Sequence, residues 1–112
     1  MSNLAIAMWP EPLRSLAAAS ISAAYMGVGT ATINPTKIYW LQNNTDVTLT
    51  FSWDGVADHF VIVSDGFLLL DMTANKSSTG GFAAAPAGTR TYVKGAPTTG
   101  TVDLTIWYGK NG

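Results

Sequence analysis

The segment Val47-Thr48-Leu49-Thr50-Phe51-Ser52-Trp53 alternates apolar and small polar residues without a break. Side chains on a β-strand point to opposite faces with a period of two. The stretch therefore predicts a half-buried strand with Val47, Leu49, Phe51 and Trp53 inward. After residue 37 no helical pattern is long enough for the crossover that parallel strands need, so pairing is expected to be antiparallel.

Other strand signals are spaced by turn residues. Ile38–Leu41 reads as a short strand ended by the cluster Asn43-Asn44-Thr45-Asp46. Asp54-Gly55 supplies a turn with positive φ. Phe60–Val63 and Phe67–Met72 flank Ser64-Asp65-Gly66 as a hairpin, and their continuous apolar runs predict burial on both faces. Ala74–Gly81 is polar and Gly-rich, hence a surface loop. Pro86-Ala87-Gly88 is a further turn before a strand at Thr89–Lys94. In Thr101–Tyr108, Val102, Leu104, Ile106 and Tyr108 share one face, and Asp103, Thr105 and Trp107 share the other. Ser15–Ala24 is Ala-rich and fits one or two helical turns or a strand. Short strands between Gly, Pro and Asn turns predict an all-β domain, an antiparallel β-sandwich of jelly-roll-like or immunoglobulin-like type.

Pro10 and Pro12, with Glu11 between them, favour extended backbone. Residues 1–14 are therefore expected to form an extended N-terminal arm, and residues 15–112 a single β-sandwich domain. Trp9 in that arm and Trp107 on the Asp103/Thr105 face are the candidate interface anchors, because aromatic residues dominate binding hot spots. Pro10 and Pro12 would stiffen the arm and lower the entropy lost on docking. The expected partner-binding residues are thus Trp9, Pro10, Pro12 and Trp107.

Composition narrows the function. The 112 residues suit one domain and include no cysteine, which removes disulfides and thiolate metal sites. Charged residues are 12% and the net charge is -1. An ordinary soluble domain has about 25% charged residues. A weakly charged surface rich in Thr, Ser and Asn is inexpensive to desolvate, as interface cores are. The six Lys and Arg residues are scattered along the chain, against a nucleic-acid partner that works by counterion release. No apolar run approaches the ~18 residues of a membrane span. The first ten residues lack the basic region of a signal peptide.

Ionisable side chains crowd only at Asp54-Gly55-Val56-Ala57-Asp58-His59. Two carboxylates and the sole histidine could hold a cation or act as an acid/base pair. The simpler reading is structural: Asp54 starts a turn, Asp58 caps the loop, and His59 donates to a backbone carbonyl. No Gly-x-Ser-x-Gly elbow exists and Gly27-Val28-Gly29 lacks a third glycine. The expectation is a non-enzymatic protein with no catalytic residue, no metal and no cofactor. The sequons at Asn43 and Asn75 are read as chance.

Leu41–Val47, Ser52–His59, Asp65–Asp71, Thr91–Gly95 and Ile106–Gly109 together resemble small accessory virion proteins of tailed bacteriophages, β-sandwich modules that decorate the capsid or dress the neck and tail. The resemblance spans roughly residues 13–109 and implies no catalytic positions. It implies a virion structural protein, made in the host bacterial cytoplasm, whose partners are other virion proteins. Many copies per particle or a homo-oligomer are expected. A carbohydrate-binding, lectin-like β-sandwich is the alternative, and a metal-dependent enzyme on the Asp54/Asp58/His59 loop the third reading.

Overall fold

A computed structural model describes residues 6–72 and 85–111. The expected loop at Ala74–Gly81 lies outside the described residues. Among the described residues the chain is all-β, with two antiparallel sheets and one 3-10 turn, Ala18–Ser20. The strands are β1 (Ile6–Pro10), β2 (Arg14–Ala17), β3 (Met26–Gly27), β4 (Thr36–Thr45), β5 (Leu49–Ser52), β6 (Phe60–Ile62), β7 (Phe67–Asp71), β8 (Tyr92–Lys94) and β9 (Gly100–Asn111).

Sheet one runs β1-β9-β4-β7, with β2 also on β9. β1 pairs with residues 107–111 of β9 and β2 with residues 101–104, so β1 and β2 are two halves of one edge. Sheet two runs β3-β8-β5-β6. One apolar core draws on both: Tyr39, Leu41, Val102, Leu104 and Ile106 from sheet one, and Leu49, Phe51, Ile62 and Val93 from sheet two. The alternation in β5 and β9 is what delivers these residues to one side.

Several expectations change. Residues 6–12 of the expected arm are extended but do not stand apart from the domain. β1 is hydrogen-bonded along β9, and Glu11 is buried. Glu11 Oε1 sits 2.8 Å from Arg14 Nη2. Its carboxylate also accepts from the Ile33 and Asn34 N–H groups and from Asn34 Nδ2. Arg14 Nε donates to Thr30 O at 2.8 Å. Proline keeps this stretch out of a helix, but a buried ion pair that also hydrogen-bonds Thr30, Ala31, Ile33 and Asn34 pins it to the 30–34 loop.

β4 does not stop at Asn43. It continues to Thr45, because the Asn43 amide takes over the work of a turn. Asn43 Nδ2 donates to Val47 O and Ile62 O at 2.9 Å each, and Oδ1 accepts from Thr45 N. The buried side chain thus ties sheet one to β6.

β6 and β7 are not a hairpin either. β6 pairs with β5 in sheet two and β7 with β4 in sheet one, so the turn at Ser64–Asp65 carries the chain between sheets. Nor are they buried on both faces: Val61, Val63, Phe67 and Leu69 are exposed. In β5 the inward order fails at its end. Ser52 is buried and Trp53 is 38% exposed, because Ser52 Oγ accepts the Asp54 and Gly55 N–H groups of the next turn. Gly55 has φ +75°, as expected for that turn. The Ser15–Ala24 segment resolves into β2 followed by the single 3-10 turn.

Candidate interaction surface and the Asp54–His59 loop

Register fixes what the outer face of sheet one presents. Cross-strand neighbours share a face, giving the rows Pro10–Trp107–Ile38–Asp71, Thr105–Trp40–Leu69 and Ser15–Asp103–Gln42–Phe67. An apolar diagonal therefore runs from Pro10 and Trp107 through Ile38 and Trp40 to Leu69 and Phe67. Trp40 is 39%, Leu69 51% and Phe67 61% exposed. The Trp40 and Phe67 rings meet edge to face with centroids 6.4 Å apart, a geometry that aromatic quadrupoles favour.

A polar corner adjoins this diagonal. Asp103 accepts from Ser15 Oγ at 2.7 Å, and from Asn44 Nδ2 and Thr101 Oγ1 at 2.8 Å each. Partial burial pushes its carboxyl up, but the three donors outweigh burial and hold it below the usual range.

Of the expected partner-binding residues, Trp107 and Pro10 lie side by side on this outer face. Trp9 pairs with Tyr108, one position along, and so belongs to the opposite face. Pro12 occupies the break between β1 and β2, exposed. The four do not form one surface. Trp40, Phe67 and Leu69 were missed because a continuous apolar run reads the same whether one face or both are covered.

The Asp54–His59 loop holds Ser52, His59 and Asp54 together, the residue types of a nucleophilic triad. Their atoms are otherwise committed. Ser52 Oγ donates to Asp54 Oδ1 at 2.8 Å and lies farther, 3.5 Å, from His59 Nδ1. His59 Nδ1 accepts the Trp53 N–H at 2.9 Å, where donation to a carbonyl was expected. In neutral His59 the proton is therefore assigned to Nε2, which lies 3.9 Å from Asp54 Oδ2. A triad needs the histidine lone pair aimed at the serine proton, and here it is spent on backbone. The Val56 and Ala57 N–H groups, then Ser52, hold Asp54 down to about 2. Asp58 accepts from Tyr25 Oη at 2.6 Å and lies 2.9 Å from Lys94 Nζ. Burial, then the Asp58 hydrogen bond, pushes the Tyr25 phenol up to about 12.

Among the described residues no three His, Asp or Glu side chains cluster as metal ligands. His59→Gln, whose amide oxygen can still accept the Trp53 N–H, should change stability by less than about 1 kcal/mol in urea melts. A bound metal found by elemental analysis and lost in that variant would overturn the structural role.

A groove of about 480 Å³ opens between β6 and β7, lined by Trp53, Phe60, Ile62, Phe67, Leu68 and Leu70. Comparison of the chain with protein-family models, with curated proteins and with solved structures returns no match.

Proposed function

We propose that this chain is a non-enzymatic structural subunit of a tailed-phage virion. In this reading it is a β-sandwich that lies against neighbouring capsid or neck and tail proteins through the outer face of sheet one. The observation that carries the reading is the apolar diagonal Trp107–Ile38–Trp40–Leu69–Phe67 on a chain of net charge -1. A cluster of partly exposed aromatic and aliphatic side chains flanked by Asp103 at one corner and Asp71 at another is the composition of an interface core and its rim. The sequence resemblance supplies the kind of partner: other virion proteins, met in the host bacterial cytoplasm during assembly. The N-terminal segment would contribute Pro10 to the same surface.

Antibody-labelled electron microscopy of native particles tests the location. Trp40→Ala should weaken incorporation about thirtyfold, the effect of losing an anchor worth about 2 kcal/mol. Unlabelled particles, or normal incorporation of that variant, would sink the reading. The carbohydrate-binding alternative rests on Trp53, partly exposed and stacked on His59 at 5.9 Å near Asp54. The apolar floor of the adjacent groove disfavours it, since sugar platforms are ringed by polar groups. Saturable binding to a glycan array, lost in Trp53→Ala, would favour it instead.

A further inference from the structure

The bond that closes the β5–β6 loop requires a neutral imidazole. His59 N donates to Phe51 O at 3.0 Å, at the end of the ladder between the two strands. From there the His59 side chain reaches back six residues, and Nδ1 accepts the Trp53 N–H at 2.9 Å. The rest of the loop is held without it. Ser52 Oγ accepts the Asp54 and Gly55 N–H groups, and Asp54 Oδ1 accepts those of Val56 and Ala57.

Both nitrogens of an imidazolium carry protons, so neither can accept. A proton on Nδ1 would face the Trp53 N–H, donor against donor. Ser52 Oγ, 3.5 Å away, offers no replacement, because its two lone pairs already receive the Asp54 and Gly55 N–H groups. The other edge of the ring does have an acceptor. Asp54 Oδ1 is taken by Ser52, Val56 and Ala57, while Oδ2 lies 3.9 Å from Nε2. That gap is too long for a hydrogen bond to neutral His59 and short enough to draw in a charged one.

The surroundings leave this as the one change. Asp54 stays ionised, because the Val56 and Ala57 N–H groups, then Ser52, hold its carboxyl down to about 2. Asp58, the other carboxylate of the loop, is engaged by Tyr25 Oη and by Lys94 of β8. β4 presents the Tyr39 phenol, which accepts from Trp53 Nε1 at 3.3 Å, and β6 and β7 present apolar side chains. Histidine is the side chain whose ordinary charge change falls between about pH 5 and 8, and the chain has a single one.

We infer that the β5–β6 loop is a proton-operated latch with two positions for the His59 ring. Neutral His59 closes the neck of the loop on the Trp53 N–H. Protonated His59 gives that bond up and pairs with Asp54 Oδ2, while the Asp54 turn stays folded. The latch does not depend on the virion reading, and the isolated full chain tests it.

In isotope-labelled protein at about pH 8, nuclear magnetic resonance should find a scalar coupling between Trp53 N and His59 Nδ1 across the hydrogen bond, with the ring proton on Nε2. Lowering the pH toward about 5 should abolish that coupling at the midpoint of the ring's own titration. The Trp53 N–H should then exchange with solvent faster than it does in His59→Gln, whose amide oxygen accepts at any pH. Asp54→Asn, which keeps an acceptor for the turn without the charge, should move the midpoint to lower pH. A coupling absent at about pH 8, a coupling that survives the titration, or a ring still neutral at about pH 5 would overturn the latch. So would an equal loss of Trp53 protection in His59→Gln. A midpoint that Asp54→Asn leaves in place would overturn the second position.

Discussion

Glu11→Ala should destabilise the domain by about 3–5 kcal/mol, the usual cost of removing one partner from a buried ion pair. The change strands Arg14, which is buried beside it, and leaves the Ile33 and Asn34 N–H groups without their acceptor. Urea denaturation measures the loss directly, and a variant within about 1 kcal/mol of wild type would show that the pair contributes little. Burial acts to raise the Glu11 carboxyl, but the Asn34 N–H, the Arg14 guanidinium and the Asn34 amide more than offset it. The folded value therefore lies below the ordinary 4.5. A depressed folded value means the ionised group stabilises the fold above the unfolded value. That stabilisation is lost as pH falls through the lower, folded one. Wild type should consequently lose more stability than Glu11→Gln as pH drops from about 5 toward 2. Deleting residues 1–12 removes the same contact together with the pairing of β1. The truncated chain should be less stable than the intact one rather than an untouched domain.

Phe51→Ala should cost a further about 3–5 kcal/mol, by cavity formation. Phe51 is fully buried at the centre of sheet two, paired with Val93 on one side and Phe60 on the other. Its ring stacks on that of Phe60 at 5.4 Å. A domain of this size has about 5–15 kcal/mol in all, so the variant should be partly unfolded or melt far below wild type. An unchanged melting temperature would mean that the ring is not in the core. Trp53→Ala, two residues on, should cost less because Trp53 is partly exposed.

Local pattern carried the inward residues of β5 and β9 because alternation is a property of each strand alone. Leu49 and Phe51, like Val102, Leu104 and Ile106, are buried as their spacing requires. Glycine chemistry likewise marked the turns at Gly55 and Gly88, both with positive φ. Strand partners were not legible. Whether Phe60–Ile62 and Phe67–Asp71 face each other or join different sheets depends on β4 and β5, not on the four residues between them. The Asn43 side chain reads as a turn former until its partners Val47 and Ile62 are brought near. The Glu11–Arg14 pair was equally hidden, since two charges beside prolines look solvent-bound until the 30–34 loop folds over them. The candidate surface was half legible for the same reason: Trp107 stood out by alternation, while Trp40, Phe67 and Leu69 lay within unbroken apolar runs.

The position of β9 has a consequence in time. It lies between β4 and the β1/β2 edge and pairs with all three, yet it follows every one of them in the chain. During synthesis β1 and β2 must wait for a strand that emerges dozens of residues later, while β4 with β7 and β5 with β6 can already pair. Contacts that span so much sequence make closing the chain slow, on the order of milliseconds to seconds for β folds of this size. In that interval the apolar strands of the waiting sheet are exposed to one another and to other chains. Until β9 emerges the chain is an open half-structure, and yield in a cell should depend on how quickly β9 finds its slot.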